Sequence, residues 1–303
     1  MRETPRLSRV TSVSSVELRG WAPDDIDLDR PSAARVYDYY LGGSHNYAVD
    51  RAVARRIVDL VPQVPRIARA NRSFLRRVVE HLVAAGIRQF LDIGSGIPTA
   101  GNVHEIAQRA DPGARVAYVD IDRVAVAHSR TVLSGDDRVA VVHEDLRAPD
   151  RVLSDPDLRR VLDLDRPVAI LMISMLHFIG DDDDPAGVVR CYRDAVVPGS
   201  YLAISHIRHV DDPVPAGVEV LDVYAEAGTP LTPRTDAGLM RLFDGFPLVE
   251  PGLVGLTAWR PEPIGDGADR DAVPDPRGGP WISTTTFDDW VRDGYGAGVG
   301  RKP

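Results

Sequence analysis

Three acids and two glycines at fixed spacing carry the most chemistry in this sequence. Arg88-Gln-Phe-Leu-Asp-Ile-Gly-Ser-Gly-Ile97 reads as a buried strand, Gln89 to Ile93, that runs into a Gly-x-Gly turn at Gly94 and Gly96. A helix over Gly101 to Arg109 follows, then a second strand, Arg115 to Val119, closed by Asp120-Ile-Asp122. Strand, glycine turn, helix, strand, acid is the order of a doubly wound nucleotide-binding unit. The glycines permit a sharp turn and a close backbone approach to a ligand. A carboxylate at the second strand's end can accept hydrogen bonds from two ribose hydroxyls. The pattern implies a nucleoside-type cofactor. A structural turn whose glycines only permit tight packing is the simpler alternative.

The details discriminate among such cofactors. A dinucleotide fingerprint needs a third glycine where Thr99 stands, and helix N–H groups that cradle a pyrophosphate. Pro98 instead removes one donor from the loop. Asp92, inside the first strand, would repel phosphate. It suits a cation, and S-adenosylmethionine carries an ammonium, a sulfonium and no phosphate. A nicotinamide-dependent oxidoreductase is correspondingly disfavoured.

A chain of 303 residues fits one large domain, or a domain with a helical extension. Cys191 is the sole cysteine, so no internal disulfide can form, and a reducing, cytoplasmic setting is expected. No apolar run approaches the roughly 18 residues that span a bilayer, and the N-terminus lacks a signal peptide's apolar segment. Net charge is −9, which argues against sequence-independent nucleic-acid binding. Lys302 is the only lysine against thirty-five arginines, a bias read as genomic composition rather than arginine chemistry. The oligomeric state is not legible.

Residues 1–30 read as a tail, 31–86 as an N-terminal helical lid, and 87–303 as the cofactor-binding domain, with a surface loop near 261–293. Helices are predicted over Pro31 to Leu41, Tyr47 to Val61 and Arg66 to Ala85. In the third, Asn71 interrupts the apolar stripe of Ile67, Phe74, Val78 and Leu82. A buried amide needs partners; it either ties helices together or contacts a ligand. Arg66, Arg69, Arg72 and Arg76 lie on the other side, a solvated basic face by the simplest reading. Further strands are predicted at Val139 to His143, Val168 to Ser174 and Tyr201 to His206, and helices at Arg123 to Leu133, after Pro185, at Ala216 to Ala227 and at Asp236 to Phe243. The acids Asp181 to Asp184 suit a helix N-terminus rather than a metal. No His/Cys cluster has ligand spacing, so no metal is expected. Gly252 to Trp259 is predicted as a strand, paired antiparallel with a last strand at Tyr295 to Arg301.

Asp92-Ile-Gly-Ser-Gly96, Val119-Asp-Ile-Asp122 and His143-Glu-Asp-Leu146 resemble the first three motifs of class I S-adenosylmethionine-dependent methyltransferases. More narrowly, Pro31-Ser-Ala-Ala-Arg-Val-Tyr-Asp-Tyr39, Leu41-Gly-Gly43, Ala68-Arg-Ala-Asn-Arg72, Leu176-His-Phe178 and Gly298-Val-Gly-Arg-Lys-Pro303 are similar to one bacterial family of such enzymes, long catalogued as a domain of unknown function. The resemblance covers about 31 to 303. Ser44-His45 departs from the Lys-Asp pair expected there, which bears on the acceptor if that loop touches it.

The resemblance implies an α/β fold: a doubly wound, Rossmann-like class I methyltransferase sheet, mostly parallel with an antiparallel last strand, behind an N-terminal helical extension. It implies that Gly94, Ser95 and Gly96 pass under the methionine part of S-adenosylmethionine with Asp92 near its ammonium. Asp120 would bind the ribose diol, Ile121 would cover the adenine, Asp145 would accept from the adenine amino group with Leu146 beside the ring, and Ser174 would lie at the cofactor's edge. Asn71 is a further cofactor-binding candidate. His177, just past the fourth strand, is the candidate general base, against a purely structural role. Tyr37, Tyr40, His45, Asn46 and Tyr47 are candidates for a lid over a small-molecule acceptor. A module that binds S-adenosylmethionine or its product without turnover is the alternative from another class.

Overall fold

The computed structural model describes residues 29–98, 101–211, 215–261 and 294–303. Residues 1–28 of the expected tail and most of the 261–293 loop lie outside them, as does Thr99. The described chain forms α1 (Ala33–Tyr40), α2 (Ala48–Leu60), α3 (Val64–Ala84), β1 (Gln89–Ile93), α4 (Val103–Ala110), β2 (Arg115–Asp120), α5 (Arg123–Val132), β3 (Val139–His143), α6 (Pro149–Ser154) and α7 (Pro156–Val161). It continues with β4 (Ala169–Ile173), α8 (Pro185–Asp194), β5 (Tyr201–Ile207), α9 (Pro215–Glu226), α10 (Asp236–Leu242) and β6 (Tyr295–Arg301).

The strands make one sheet in the order β3-β2-β1-β4-β5-β6. All neighbours are parallel except β5 and β6. The alternation of side chains along a strand sorts the two faces. In β1, Phe90 points into a core with α3, α4 and α5, while Leu91 and Ile93 point into a second core with α6, α7, α8 and α10. A third, smaller cluster joins α1, α2, α3 and α9 through Val36, Tyr40, Ile57, Ala68 and Val223. Because strand order reverses between β1 and β4, a crevice opens at their carboxyl ends, where ligands of such sheets bind.

Local chemistry sets the element ends. The Asp122 carboxylate caps α5 by accepting from the N–H groups of Val124 and Ala125, at 2.8 and 2.9 Å. Asp184 caps α8 by accepting from Gly187 N–H at 3.0 Å, as the acidic run predicts. Helices α6 and α7 were not anticipated from sequence; each is six residues long and begins at a proline, too short to show a period.

Two expectations need correction. Gly252 to Trp259 is not a strand: Val254 makes a single antiparallel bridge to Ala297, and the ladder partner of β6 is β5 over seven residue pairs. Pro251 cannot donate to a ladder, and Gly252 and Gly255 interrupt the run. Leu256 and Trp259 are buried by packing, which mimics a strand's apolar signature. Nor is the arginine face of α3 simply solvated. Arg69 is 5% exposed, and Arg72 donates to Gly101 O at 2.8 Å across the start of α4.

Candidate active site

The carboxyl ends of the parallel strands open onto a cavity of about 960 Å³, walled on other sides by α1, α3 and α9. That is the upper end of the ~300–1,000 Å³ range of small-molecule sites. Asp92, Gly94, Ser95, Gly96, Asp120, Ile121, Asp145, Leu146, Ser174, Asn71 and His177 all line it, as do Tyr37 and Tyr40. His45, Asn46 and Tyr47 do not. They build the α1–α2 turn instead: His45 N–H and Asn46 Nδ2 donate to Asp38 Oδ2 at 2.9 and 2.8 Å, and Tyr47 N–H donates to Asp50 at 2.8 Å.

The glycine turn is shaped by close contact and by backbone sign. Gly94 and Gly96 have φ of +74° and +66°, the left-handed region that side chains disfavour. A Cβ on Gly94 would collide with the Met175 side chain, whereas one on Gly96 would meet only open space. Gly96 N–H donates to Asp120 Oδ2 at 2.6 Å, and Asp122 N–H donates to Asp120 Oδ1 at 2.8 Å. Asp120 therefore joins the β1 turn to the end of β2 while keeping lone pairs for a ligand.

Burial dominates the electrostatics. It pushes the Asp92 carboxyl up to about 7, against the opposing pull of Arg72 and with a further rise from Asp120. Among the described residues nothing hydrogen-bonds to the Asp92 carboxyl. Asp120 is pushed up to about 6 by burial, moderated by backbone donors from Asp122, Gly96 and Ile121. Asp145 differs. Burial raises it, but Arg147 outweighs that and holds the carboxyl below its ordinary value. Arg147 donates to both Asp145 oxygens, with Nη2 to Oδ2 at 2.6 Å.

Asn71 is a tie between elements. Its Nδ2 donates to Tyr37 Oη at 3.0 Å and its Oδ1 accepts from Ser205 Oγ at 2.5 Å, joining α3 to α1 and β5. Arg35 extends the connection: its Nε lies 3.5 Å from Asp50 and 3.8 Å from Asp122, which caps α5 beside Asp120 of β2. Ser174 adopts φ +52°, and its N–H donates to Ser205 Oγ at 2.9 Å.

His177 sits on a short 3₁₀ turn, Leu176–Phe178, at 3% exposure, with Nδ1 buried and lacking a hydrogen-bond partner. Burial, His206 and Arg234 together hold its pKa well below the ordinary imidazole value, so it is neutral. Sequence reasoning missed what supports that turn. Arg234, 7% exposed, donates to Leu176 O at 2.9 Å and to Ile179 O at 2.7 Å, and pairs with Asp181 at 2.8 Å. Thr232 N–H donates to His177 O at 2.7 Å. His206 completes the support: burial lowers its pKa to about 4, leaving a lone pair on Nε2 for Arg234 Nη1 at 2.9 Å. Arg234 stands 57 positions beyond His177, and no motif links them.

The sheet order, the glycine turn and the strand-end acids are those of a class I methyltransferase. Residues 19–279 match the S-adenosyl methyltransferase family, and the chain belongs to it. The chain is 40% identical to a candidate methyltransferase from Thermobifida fusca, over 93% of this chain and 99% of that one, with a TM-score of 0.79. It is 37% identical to a DUF574-family protein from Streptomyces avermitilis, over 91% and 100%, with a TM-score of 0.80. No protein of curated function matches it. Membership removes the nicotinamide-dependent alternative. Among the described residues no helix is long and apolar enough to cross a membrane.

Proposed function

We propose that the chain binds S-adenosylmethionine at the strand-end acids and transfers its methyl group to a small molecule held in the same cavity. The observation that carries this reading is Asp92: a buried carboxyl on the cavity wall, beside the glycine turn, with no hydrogen bond from the described residues. An ammonium there would supply the missing partner, and a phosphate would be repelled. Gly96, with open space where a Cβ would stand, supports close backbone approach by a ligand. The acids fit the cofactor's positive end and its ribose, so Asp92 is assigned to the ammonium and Asp120 to the ribose diol. Gly94 and Ser95 pass beneath the methionine part. Ile121 and Leu146 flank the adenine, Ser174 lies at the cofactor's edge, and Asn71 holds the wall opposite through Tyr37 and Ser205. Asp145 can accept from the adenine amino group once Arg147, a 45% exposed side chain, swings aside.

Bound there, S-adenosylmethionine supplies a methyl group on a sulfonium, which leaves as a neutral thioether. The protein's task is then alignment and exclusion of water. Helices α1 and α3 cover the strand ends as a lid, held by the Asn71 and Arg35 contacts. Well-oriented reactants can gain ~7–11 kcal/mol from proximity. His177, held neutral, offers a lone pair to an acceptor hydroxyl or N–H and orients the nucleophile. Its surroundings oppose an imidazolium, so a proton taken there passes on to water.

Titration calorimetry tests the reading. Binding of S-adenosylmethionine and S-adenosylhomocysteine, with no heat from NAD, is expected. Absence of heat from both sulfur compounds at concentrations suited to micromolar affinity would sink it.

A further inference from the structure

The two sides of the cavity differ in chemistry. The ends of β1, β2 and β3 contribute carboxylates. Around His177 the wall is aromatic and aliphatic. The His177 ring lies 4.7 Å from Phe178 and 6.2 Å from Tyr295, and Phe178 lies 6.1 Å from Tyr224 of α9. Leu221 and Val218, also from α9, face the same space.

The phenols here are neutral, and those of Tyr37, Tyr40 and Tyr224 are already hydrogen-bonded to protein groups. Burial raises the pKa of Tyr37, Tyr40 and Tyr295, and that of Tyr224 to about 12. Tyr37 Oη donates to Ala68 O at 2.9 Å, and the hydroxyls of Tyr40 and Tyr224 meet at 3.3 Å. Charged groups nearby are committed or solvated. Arg208 pairs with Asp236 at 2.7 Å, Arg234 is tied beneath the His177 turn, and Arg30 is exposed at the mouth. A buried charge on an acceptor would thus find no free counter-charge, and an unpaired buried charge is strongly disfavoured. Nδ1 of His177 is buried and unpartnered, as are Oγ of Ser174 and Oδ1 of Asp38 elsewhere on the cavity wall. A native structure rarely leaves such an atom without purpose.

We propose that the acceptor is an uncharged, ring-bearing apolar molecule with one hydroxyl or ring N–H, its ring held among Phe178, Tyr224, Tyr295 and Leu221 and its heteroatom hydrogen-bonded to His177. This rests on the methyltransferase reading and adds the substrate class. In the transfer, a lone pair of that heteroatom forms the new bond to the methyl carbon. The carbon–sulfur bond breaks with its electron pair on sulfur, and the heteroatom's proton leaves through His177 to water.

The test uses three probes that share one ring system: 2-naphthol, naphthalene-2-sulfonate and naphthalene. Each is titrated by fluorescence into protein saturated with S-adenosylhomocysteine. We expect 2-naphthol to bind at least tenfold more tightly than the sulfonate. We expect Leu221→Asp to abolish naphthol binding while S-adenosylhomocysteine still binds. His177→Leu should erase the advantage of 2-naphthol over naphthalene. If Leu221→Asp unfolds the chain, the half-exposed Val218→Asp gives the same readout. A sulfonate that binds as tightly as the naphthol overturns the proposal, as does an Asp substitution that leaves naphthol binding intact. Failure of S-adenosylhomocysteine to bind counts against the cofactor reading instead; the naphthol titration on the free protein then still reads the pocket.

Discussion

Ser205 Oγ donates to Asn71 Oδ1 at 2.5 Å, joining residues 134 positions apart and fastening α3 to the last parallel strand. Both side chains are buried, at 0% and 2% exposure. Replacing Asn71 by Leu leaves a buried hydroxyl without its acceptor and Tyr37 without a donor. Such losses cost about 1–3 kcal/mol. Asn71→Leu should therefore lower the melting temperature by several degrees and weaken S-adenosylhomocysteine binding. A double-mutant cycle with Ser205→Ala should show non-additive effects. Additive effects in that cycle, with binding untouched, would reduce Asn71 to a filler of space.

Cofactor affinity should depend on pH through Asp92. Its carboxyl titrates near 7 in the free protein because burial favours the neutral form. A cationic ligand needs the carboxylate, so below about 7 binding must expel a proton. Affinity should fall by up to roughly tenfold per pH unit between 7 and 5, and level off above 7. Calorimetry at pH 6 in buffers of different ionisation enthalpy should detect the released proton. Asp92→Asn should flatten the slope while lowering affinity throughout; a slope unchanged by the substitution would assign it to another group.

Asp120 and Asp122 stand two residues apart and should separate cleanly. Asp120 faces the cavity and steadies the glycine turn, so Asp120→Ala should weaken cofactor binding by roughly tenfold to a hundredfold, the equivalent of about 1.5–3 kcal/mol. Asp122 is a helix cap, so Asp122→Ala should cost ~1 kcal/mol of stability and little binding. Equal losses of affinity would mean that Asp122, not only Asp120, reaches the ribose.

Arg234 should act on turnover through position rather than contact. Arg234→Lys keeps the charge but loses the fork that holds the carbonyls of Leu176 and Ile179. With an acceptor in hand, kcat should drop tenfold or more while S-adenosylhomocysteine affinity stays within about twofold. The free energy behind a tenfold change is ~1.4 kcal/mol. A KM effect with unchanged kcat would place Arg234 in acceptor binding instead.

Chelators should leave cofactor binding unchanged. Three acids of the 181–184 run have protein partners: Asp181 pairs with Arg234, Asp183 with Arg147, and Asp184 caps α8. Binding of S-adenosylhomocysteine that vanished in EDTA and returned with Mg²⁺ would contradict this assignment.

The strand-end wall of the cavity is legible in the sequence because it is local. Gly94, Gly96, Asp120 and Asp145 follow strands whose apolar runs announce them, and the strands over Gln89–Ile93, Val139–His143 and Tyr295–Arg301 form over the predicted spans. Of the opposite wall, His177, Tyr37 and Tyr40 were legible and the rest was not. Tyr224 and Tyr295 look like ordinary packing residues until α9 and β6 bring them beside Phe178 and His177. His45, Asn46 and Tyr47, candidates for a lid, instead build the α1–α2 turn around Asp38 and Asp50. Arg69 shows the same limit: helical period places it opposite the apolar stripe, yet the fold buries it.

The division of the cavity has an evolutionary consequence. The groups assigned to the cofactor come from strand ends that the whole sheet holds in place, where substitution disturbs the core. The wall around His177 draws on Phe178, on α9, which packs against α2, and on Tyr295 at the start of the last strand. Side chains there can change size without moving Asp92 or Asp120. A lineage built on this scaffold is free to acquire new acceptors one wall at a time, inheriting its methyl donor unchanged.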